Sequence, residues 1–260
     1  MFRRALGGLA LLALAAGLWI GQTTWADAPA TTATAPNRAA TPVWRPDNGG
    51  NWWNKIHEEH MELLKKGDID LYFDGDSITE GWQFNQPLWQ KSFGGWKPAN
   101  FAIRGDQTQH VLWRLQAGEF TGLKPKGFVL MVGTNNSGNT TPEETAGGIE
   151  AIVKEVHKQS PTTKILLLAI FPRGADAKDP KRIDNQAVNA IISKLDDGRT
   201  VKYLDIGSKF LEADGTPIKG AMAPDNLHLA YKGYEIWAEA IVPALKEMLG
   251  APAAPATQPK

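Results

Sequence analysis

Five short apolar runs, at 70–73, 100–103, 128–132, 165–171 and 201–206, punctuate an otherwise polar chain. They are continuous rather than alternating, and Gly, Pro or charges bound each one. That pattern predicts strands buried on both faces. The segments between them carry the other period. Residues 52–66 place Trp52, Ile56, Met61 and Leu64 among charges, and Thr141-Pro-Glu-Glu144 is a capping box with Pro in the first turn. The helix it opens has the stripe Ile149, Ile152, Val153 and Val156, and similar stripes run through 181–195 and 231–249. Strand–helix alternation of this kind predicts an α/β fold, a five-stranded parallel sheet with helices on both faces.

Outside 51–250 the pattern lapses. Met1-Phe-Arg-Arg4, an apolar stretch to Ile20 and Thr24-Trp25-Ala26 have the three-part layout of an export signal. The expectation is a signal peptide over 1–26, cleaved on export to the periplasm or outside the cell. The apolar stretch is shorter than the ~20 residues a membrane-spanning helix needs. Residues 27–50 and 251–260 are rich in Ala, Thr and Pro and read as a disordered linker and tail. One domain lies between them.

Lys plus Arg and Asp plus Glu both number 28, so net charge draws the chain toward neither nucleic acid nor anionic membrane. The absence of cysteine excludes disulfides and thiolate chemistry. His57-Glu-Glu-His60 falls short of a zinc helix, because its histidines are three apart where one face needs four and no third ligand is evident. It reads as a solvated helix face, with no metal assigned.

Candidate chemistry gathers at strand ends. The first run leads through Gly75-Asp-Ser77, placing a hydroxyl where open α/β sheets hold ligands, although a serine there also serves as a helix cap. The second ends in Arg104-Gly105-Asp106; with Asp106 capping a following helix, the Gly105 N–H is free to face an anion, or the stretch is a simple turn. The third ends in Val132-Gly-Thr-Asn-Asn136, a turn or an amide donor for an oxyanion. Asp225 precedes His228 by three residues, close enough to hold the imidazole tautomer in which Nε2 accepts a serine proton. Each has a bland explanation alone. Together, and in this order, they supply a nucleophile, oxyanion donors and an oriented base. No Gly-x-Ser-x-Gly elbow, Gly-x-Gly-x-x-Gly or Walker loop occurs.

These blocks resemble the SGNH (GDSL-type) hydrolases: Gly75-Asp-Ser77, Gly105, Gly133-Thr-Asn135 and Asp225-x-x-His228 match in order. Within that family, the runs 105–115, 132–136, 146–153 and 171–174 resemble the catalytic subunits of the brain-type platelet-activating-factor acetylhydrolases. The resemblance implies a flavodoxin-like three-layer α/β/α sandwich and a cofactor-free serine esterase. It assigns Ser77, His228 and Asp225 as triad, and the Ser77 N–H, Gly105 N–H and Asn135 side chain as oxyanion hole. Two features depart from those relatives: Arg104 stands where they usually carry Gly, which bears on the acyl pocket, and they are cytosolic, which the export signal contradicts.

The expected reaction is hydrolysis of short-acyl esters on a carbohydrate or another small exported substrate. The alternatives are a lysophospholipid or phospholipid-acetyl esterase and a non-catalytic glycan-binding module on the same fold. Trp82, Arg104 and Arg173 are candidate substrate contacts; Trp82 belongs to a set with Trp89, Trp96 and Trp113 that serves either sugar stacking or the core. A homodimer is among the states open to such an enzyme.

Overall fold

The computed structural model describes residues 35–45 and 51–253. The expected signal peptide, most of the linker and the end of the tail lie outside the described residues. Helix α1 (Trp52–Lys65) leads into β1 (Leu71–Gly75), the short α2 (Ser77–Glu80) and α3 (Gln86–Phe93). Then follow β2 (Pro98–Asn100), α4 (Thr108–Arg114), β3 (Gly127–Met131), α5 (Pro142–Gln159), β4 (Lys164–Leu168), α6 (Pro180–Ile192), β5 (Val201–Leu204) and α7 (Tyr231–Leu249). The strands form one parallel sheet in the order β2-β1-β3-β4-β5.

The continuous apolar runs follow from burial on both sides. Leu71, Phe73, Val129, Met131, Leu166 and Leu168 face α3 and α7, and the neighbouring Tyr72, Phe128, Leu130, Ile165 and Leu167 face α4, α5 and α6. Successive side chains alternate across a strand, so a sheet covered on both sides leaves no polar position to alternate with. The α5 capping box forms as expected: Thr141 Oγ1 accepts from Glu144 N at 3.2 Å and Glu144 Oε2 from Thr141 N at 3.0 Å. Strand order reverses beside β1, which makes the ends of β1 and β3 the switch point where such sheets leave a crevice.

Several local expectations need correction. Strand β2 begins at Pro98, earlier than the apolar run, which instead continues past it while Phe101 N and Ile103 N donate to Phe73 O and Gly75 O. Asp106 does not cap α4; Gln107 does, and Asp106 is fully buried. Residues 36–45, expected as linker, belong to the same compact unit as the domain. Ala253, expected in the tail, donates its N–H to Gly95 O at 2.9 Å.

The histidine pair is not a solvated face. His57 and His60 both direct Nδ1 at the buried Glu119, at 2.6 and 3.0 Å from Oε1. Glu119 also binds Arg114. The same guanidinium reaches Asp74 Oδ1 at 2.7 Å, Asp106 Oδ2 at 2.9 Å and Phe101 O at 2.9 Å. Arg114 is thus the hub of a buried network under the ends of β1 and β2. Burial raises Asp74 to about 7 against the pull of Arg114. Burial acts likewise on Glu119, but there Arg114 and the two histidines prevail and hold the carboxyl well below its ordinary range.

Candidate active site

Gly75 ends β1 in a conformation only glycine can take. Its φ is +156°, and a Cβ there would lie 2.2 Å from the Met131 carbonyl oxygen. The chain therefore turns sharply off the sheet. Asp76, the N-cap of α2, accepts the Ile78 N–H at 3.0 Å, and Ser77 emerges at the start of that helix. Burial pushes the Asp76 carboxyl up to about 7, and its Oδ2 has no hydrogen-bond partner among the described residues.

His228 lies just before α7, in the loop after β5. Its Nε2 is 2.8 Å from Ser77 Oγ, across 151 residues of chain. Its Nδ1 is 2.6 Å from Asp225 Oδ2. A carboxylate can only accept, so Nδ1 carries the proton and Nε2 is left to accept from the serine hydroxyl. Asp225 Oδ1 accepts the N–H groups of Leu227 and His228, both at 3.0 Å, which fixes the carboxylate before the ring is considered. Burial raises the Asp225 carboxyl, but the His228 and backbone bonds outweigh it and hold it at about 2. Asp225 stays ionised across any neutral working range. The arrangement can take a proton from Ser77 and stabilise the imidazolium that results.

The oxyanion candidates lie on the neighbouring loops. Gly105 has φ +75° and follows β2, and its N–H has no hydrogen-bond partner among the described residues. Asn135 follows β3 and donates Nδ2 to Asp106 O at 2.9 Å, which ties the Asn135 side chain to the Gly105 loop. Gln107 Nε2 donates back to Asn135 O at 2.7 Å. The two loops are cross-braced.

The candidate substrate contacts divide. Trp82 is fully buried, packed edge-on to Tyr234 and Phe93 and tilted against Trp89 and Trp237. It is a core residue, because the sharp β1–α2 turn brings it beneath α7 instead of into solvent. Trp89 and Trp96 are buried in the same cluster, and Trp113 packs against Trp53 and His57. Arg104 makes no hydrogen bond to Ser77 or His228 and is held elsewhere. It pairs with Glu80 Oε1 at 2.8 Å, stacks on Trp52 with its guanidinium carbon 4.4 Å from the ring centroid, and walls a groove of about 450 Å³ lined by neither Ser77 nor His228. Arg173 is half-buried and donates Nη1 to Thr134 Oγ1 at 3.1 Å, one residue before Asn135.

Two parts escaped the sequence. Arg182 is buried, and its guanidinium donates to the carbonyls of Arg173, Gly174 and Gly215. Gly174 N in turn donates to Asn226 O at 2.8 Å, inside the Asp225–His228 loop. The Arg114 network was missed as well. Asp74, directly after the apolar run 70–73, was its one visible signal, since a charge in a strand covered on both faces needs a buried partner.

A five-stranded parallel sheet between helices, with Ser77, His228 and Asp225 meeting at its switch point and no nucleophile elbow in the sequence, defines a class, the SGNH (GDSL-type) hydrolase fold. Residues 73–236 match the model of the GDSL-like lipase/acylhydrolase family, and the chain belongs to that family. It is an ester hydrolase. It is 40% identical over 200 residues to the platelet-activating factor acetylhydrolase IB subunit alpha2 of Gallus gallus, covering 76% of this chain and 86% of that one. It is 36% identical over 200 residues to the alpha1 subunit of Pongo abelii, covering 76% and 84%. Among solved structures, a protein described as a platelet activating factor from Streptococcus pneumonia superposes with a TM-score of 0.63 at 26% identity, over 74% of this chain and 92% of that one. The acetylxylan esterase Axe2 of Geobacillus stearothermophilus shares the fold, with a TM-score of 0.54 at 19% identity over 68% and 93%.

Proposed function

We propose that this chain is a serine esterase for short-acyl, acetyl-type carboxylic esters, with Ser77 as nucleophile, His228 as general base and Asp225 as its orienter. The observation that carries this reading is the unbroken path from Ser77 Oγ to His228 Nε2 at 2.8 Å and from His228 Nδ1 to Asp225 Oδ2 at 2.6 Å. Ser77 Oγ attacks the ester carbonyl as its proton passes to Nε2. The tetrahedral oxyanion is held by the N–H groups of Ser77 and Gly105 and the Asn135 amide. His228 returns the proton to the leaving alcohol, and water repeats the cycle on the acyl-enzyme. No step calls on a metal or an organic cofactor.

The acetyl preference draws support from relatives named as acetylhydrolases. For the leaving alcohol, the export signal in residues 1–26 favours a carbohydrate or another small ester outside the cytosol. The buried Trp82 removes one aromatic platform from that case. A second reading, a phospholipid-acetyl ester, is favoured by Arg173. It forms no close carboxylate pair among the described residues, its charge acts on the buried Asp76 carboxyl, and it stands beside the Asn135 turn.

The test is a p-nitrophenyl ester series from acetate to octanoate, followed by acetylated xylan against acetyl phospholipids. Acetate should lead the series, and activity rising steadily with chain length would overturn the short-acyl reading. Fluorophosphonate should label the wild type and leave Ser77→Ala unmarked. Arg173→Gln should raise KM for the anionic lipid ester and leave the neutral p-nitrophenyl acetate unchanged; equal effects on both would remove the phospholipid reading.

A further inference from the structure

Residues 37–45 form a strap across the two oxyanion loops. Asn37 caps the short turn Arg38–Ala40 and donates Nδ2 to Glu144 O at 2.9 Å. Thr108 Oγ1 donates to Ala39 O at 2.8 Å, and Val43 N to Gln109 O at 3.2 Å. These anchors lie on α4 and α5, the helices that the Gly105 and Asn135 loops lead into. The strap lies before the part of the chain that matches the family model. It ends in Arg45.

Arg45 Nη1 donates to Arg104 O at 2.7 Å and lies 3.5 Å from Asp106 Oδ1. Its guanidinium also lies over Trp52, 5.1 Å from the ring centroid, and Arg104 covers the same ring. Arg114 Nε holds the other oxygen of Asp106, Oδ2, at 2.9 Å, while Trp53 Nε1 donates at 2.7 Å to Oδ1, the same oxygen that Arg45 approaches. A Cβ on Gly105 would come within 2.7 Å of the Arg45 guanidinium and displace it, and the φ of +75° independently favours glycine there.

The peptide joining Arg104 to Gly105 is planar and trans, so its C=O and N–H point in opposite directions. Whatever grips the Arg104 oxygen therefore aims the Gly105 N–H away from the strap. A cation on that oxygen also polarises the amide and makes its N–H a stronger donor. We propose that Arg45 is a positioning residue that orients and polarises the Gly105 N–H for the oxyanion, and that the strap is a working part of the active site. This rests on the reading of Gly105 as an oxyanion donor.

The role acts on the transition state and not on ground-state binding, so it should appear in kcat. The experiment compares Arg45→Lys, Arg45→Gln and Arg45→Met in the full chain, with p-nitrophenyl acetate kinetics, fluorophosphonate labelling rates and thermal melts. Arg45→Met should lose about 10–100-fold in kcat, the scale of a misaimed oxyanion donor, with KM within about threefold of wild type. Labelling should slow in parallel. Arg45→Lys keeps a cation for the Arg104 oxygen and should recover most of the loss, while Arg45→Gln, a neutral donor, should recover little.

Should Arg45→Met fail to fold, the Lys and Gln variants decide. Equal kcat in wild type, Lys and Gln overturns the proposal, as does a loss confined to KM. Loss of labelling in Ser77→Ala alongside unchanged Arg45 variants overturns the Arg45 role alone. Labelling that survives in Ser77→Ala overturns the reading of Ser77 as nucleophile, and with it the oxyanion that Gly105 is read to hold.

Discussion

Replacing Asp225 by Asn changes one atom and should disable the site while leaving the fold in place. Asp225 Oδ1 is committed to the backbone N–H groups of Leu227 and His228, so the new amide nitrogen must take the place of Oδ2, 2.6 Å from the imidazole. That nitrogen is a donor. It obliges His228 Nδ1 to accept, moves the ring proton to Nε2, and sets a donor against the Ser77 hydroxyl whose proton must be accepted.

Two losses add. The charge-assisted bond that stabilises the imidazolium contributes about 1.5 kcal/mol at the low end of its range, the end suited to a pair that is roughly half exposed. Restoring the working tautomer then sacrifices the Asn bond and opposes two donors, at about 2–4 kcal/mol. At about 1.4 kcal/mol per decade, kcat/KM for p-nitrophenyl acetate should fall by roughly 300-fold to 10⁴-fold. The fluorophosphonate labelling rate should drop alongside it, and the melting temperature should hardly move, because the backbone bonds survive. An Asn variant keeping more than about a tenth of wild-type kcat/KM would refute the tautomer argument.

Asp76→Asn tests the buried carboxyl beside the nucleophile. With its folded value raised to about 7 against an ordinary 3.8, the unfolded chain ionises first, so wild-type stability declines as pH rises from about 4 to about 7 and then levels off. Asn should remove that contribution, raising stability at pH 8 by about 1–3 kcal/mol and much less at pH 4, read from urea melts at both; a gain equal at both pH values would exclude the linkage. Arg114→Leu strands Asp74, Asp106 and Glu119 without their common cation and should cost about 3–5 kcal/mol, with a denaturation midpoint near wild type as the contrary result. Trp82→Ala empties a core position and should cost about 3–5 kcal/mol while KM holds steady; a KM effect in a stable protein would return Trp82 to the substrate.

That Ser77, Asp225 and His228 would meet was legible because the chemistry proposed for them requires particular residue types in a particular order, and Gly75 because a turn off a strand end tolerates nothing else. Burial direction was not legible at the helices. Trp82 and the His57/His60 pair offer an aromatic or an imidazole to water or to the core with equal ease on sequence grounds. The choice fell to α7 lying over the one and Glu119 facing the other. Arg45 was hidden in a stretch whose Ala, Thr and Pro content lacks periodicity, since its partners are loop carbonyls that no pattern of side chains announces.

From sequence alone come the doubly covered parallel sheet, the helix stripes and the inventory of reacting groups, since each depends on interactions a few residues apart or on chemistry carried by single side chains. Folding in three dimensions decided which groups meet: the 2.8 Å contact across 151 residues, the Arg114 hub, and the strap laid over the Gly105 loop. Such pairings depend on where distant strands end above one sheet edge, and that is a property of the packed whole.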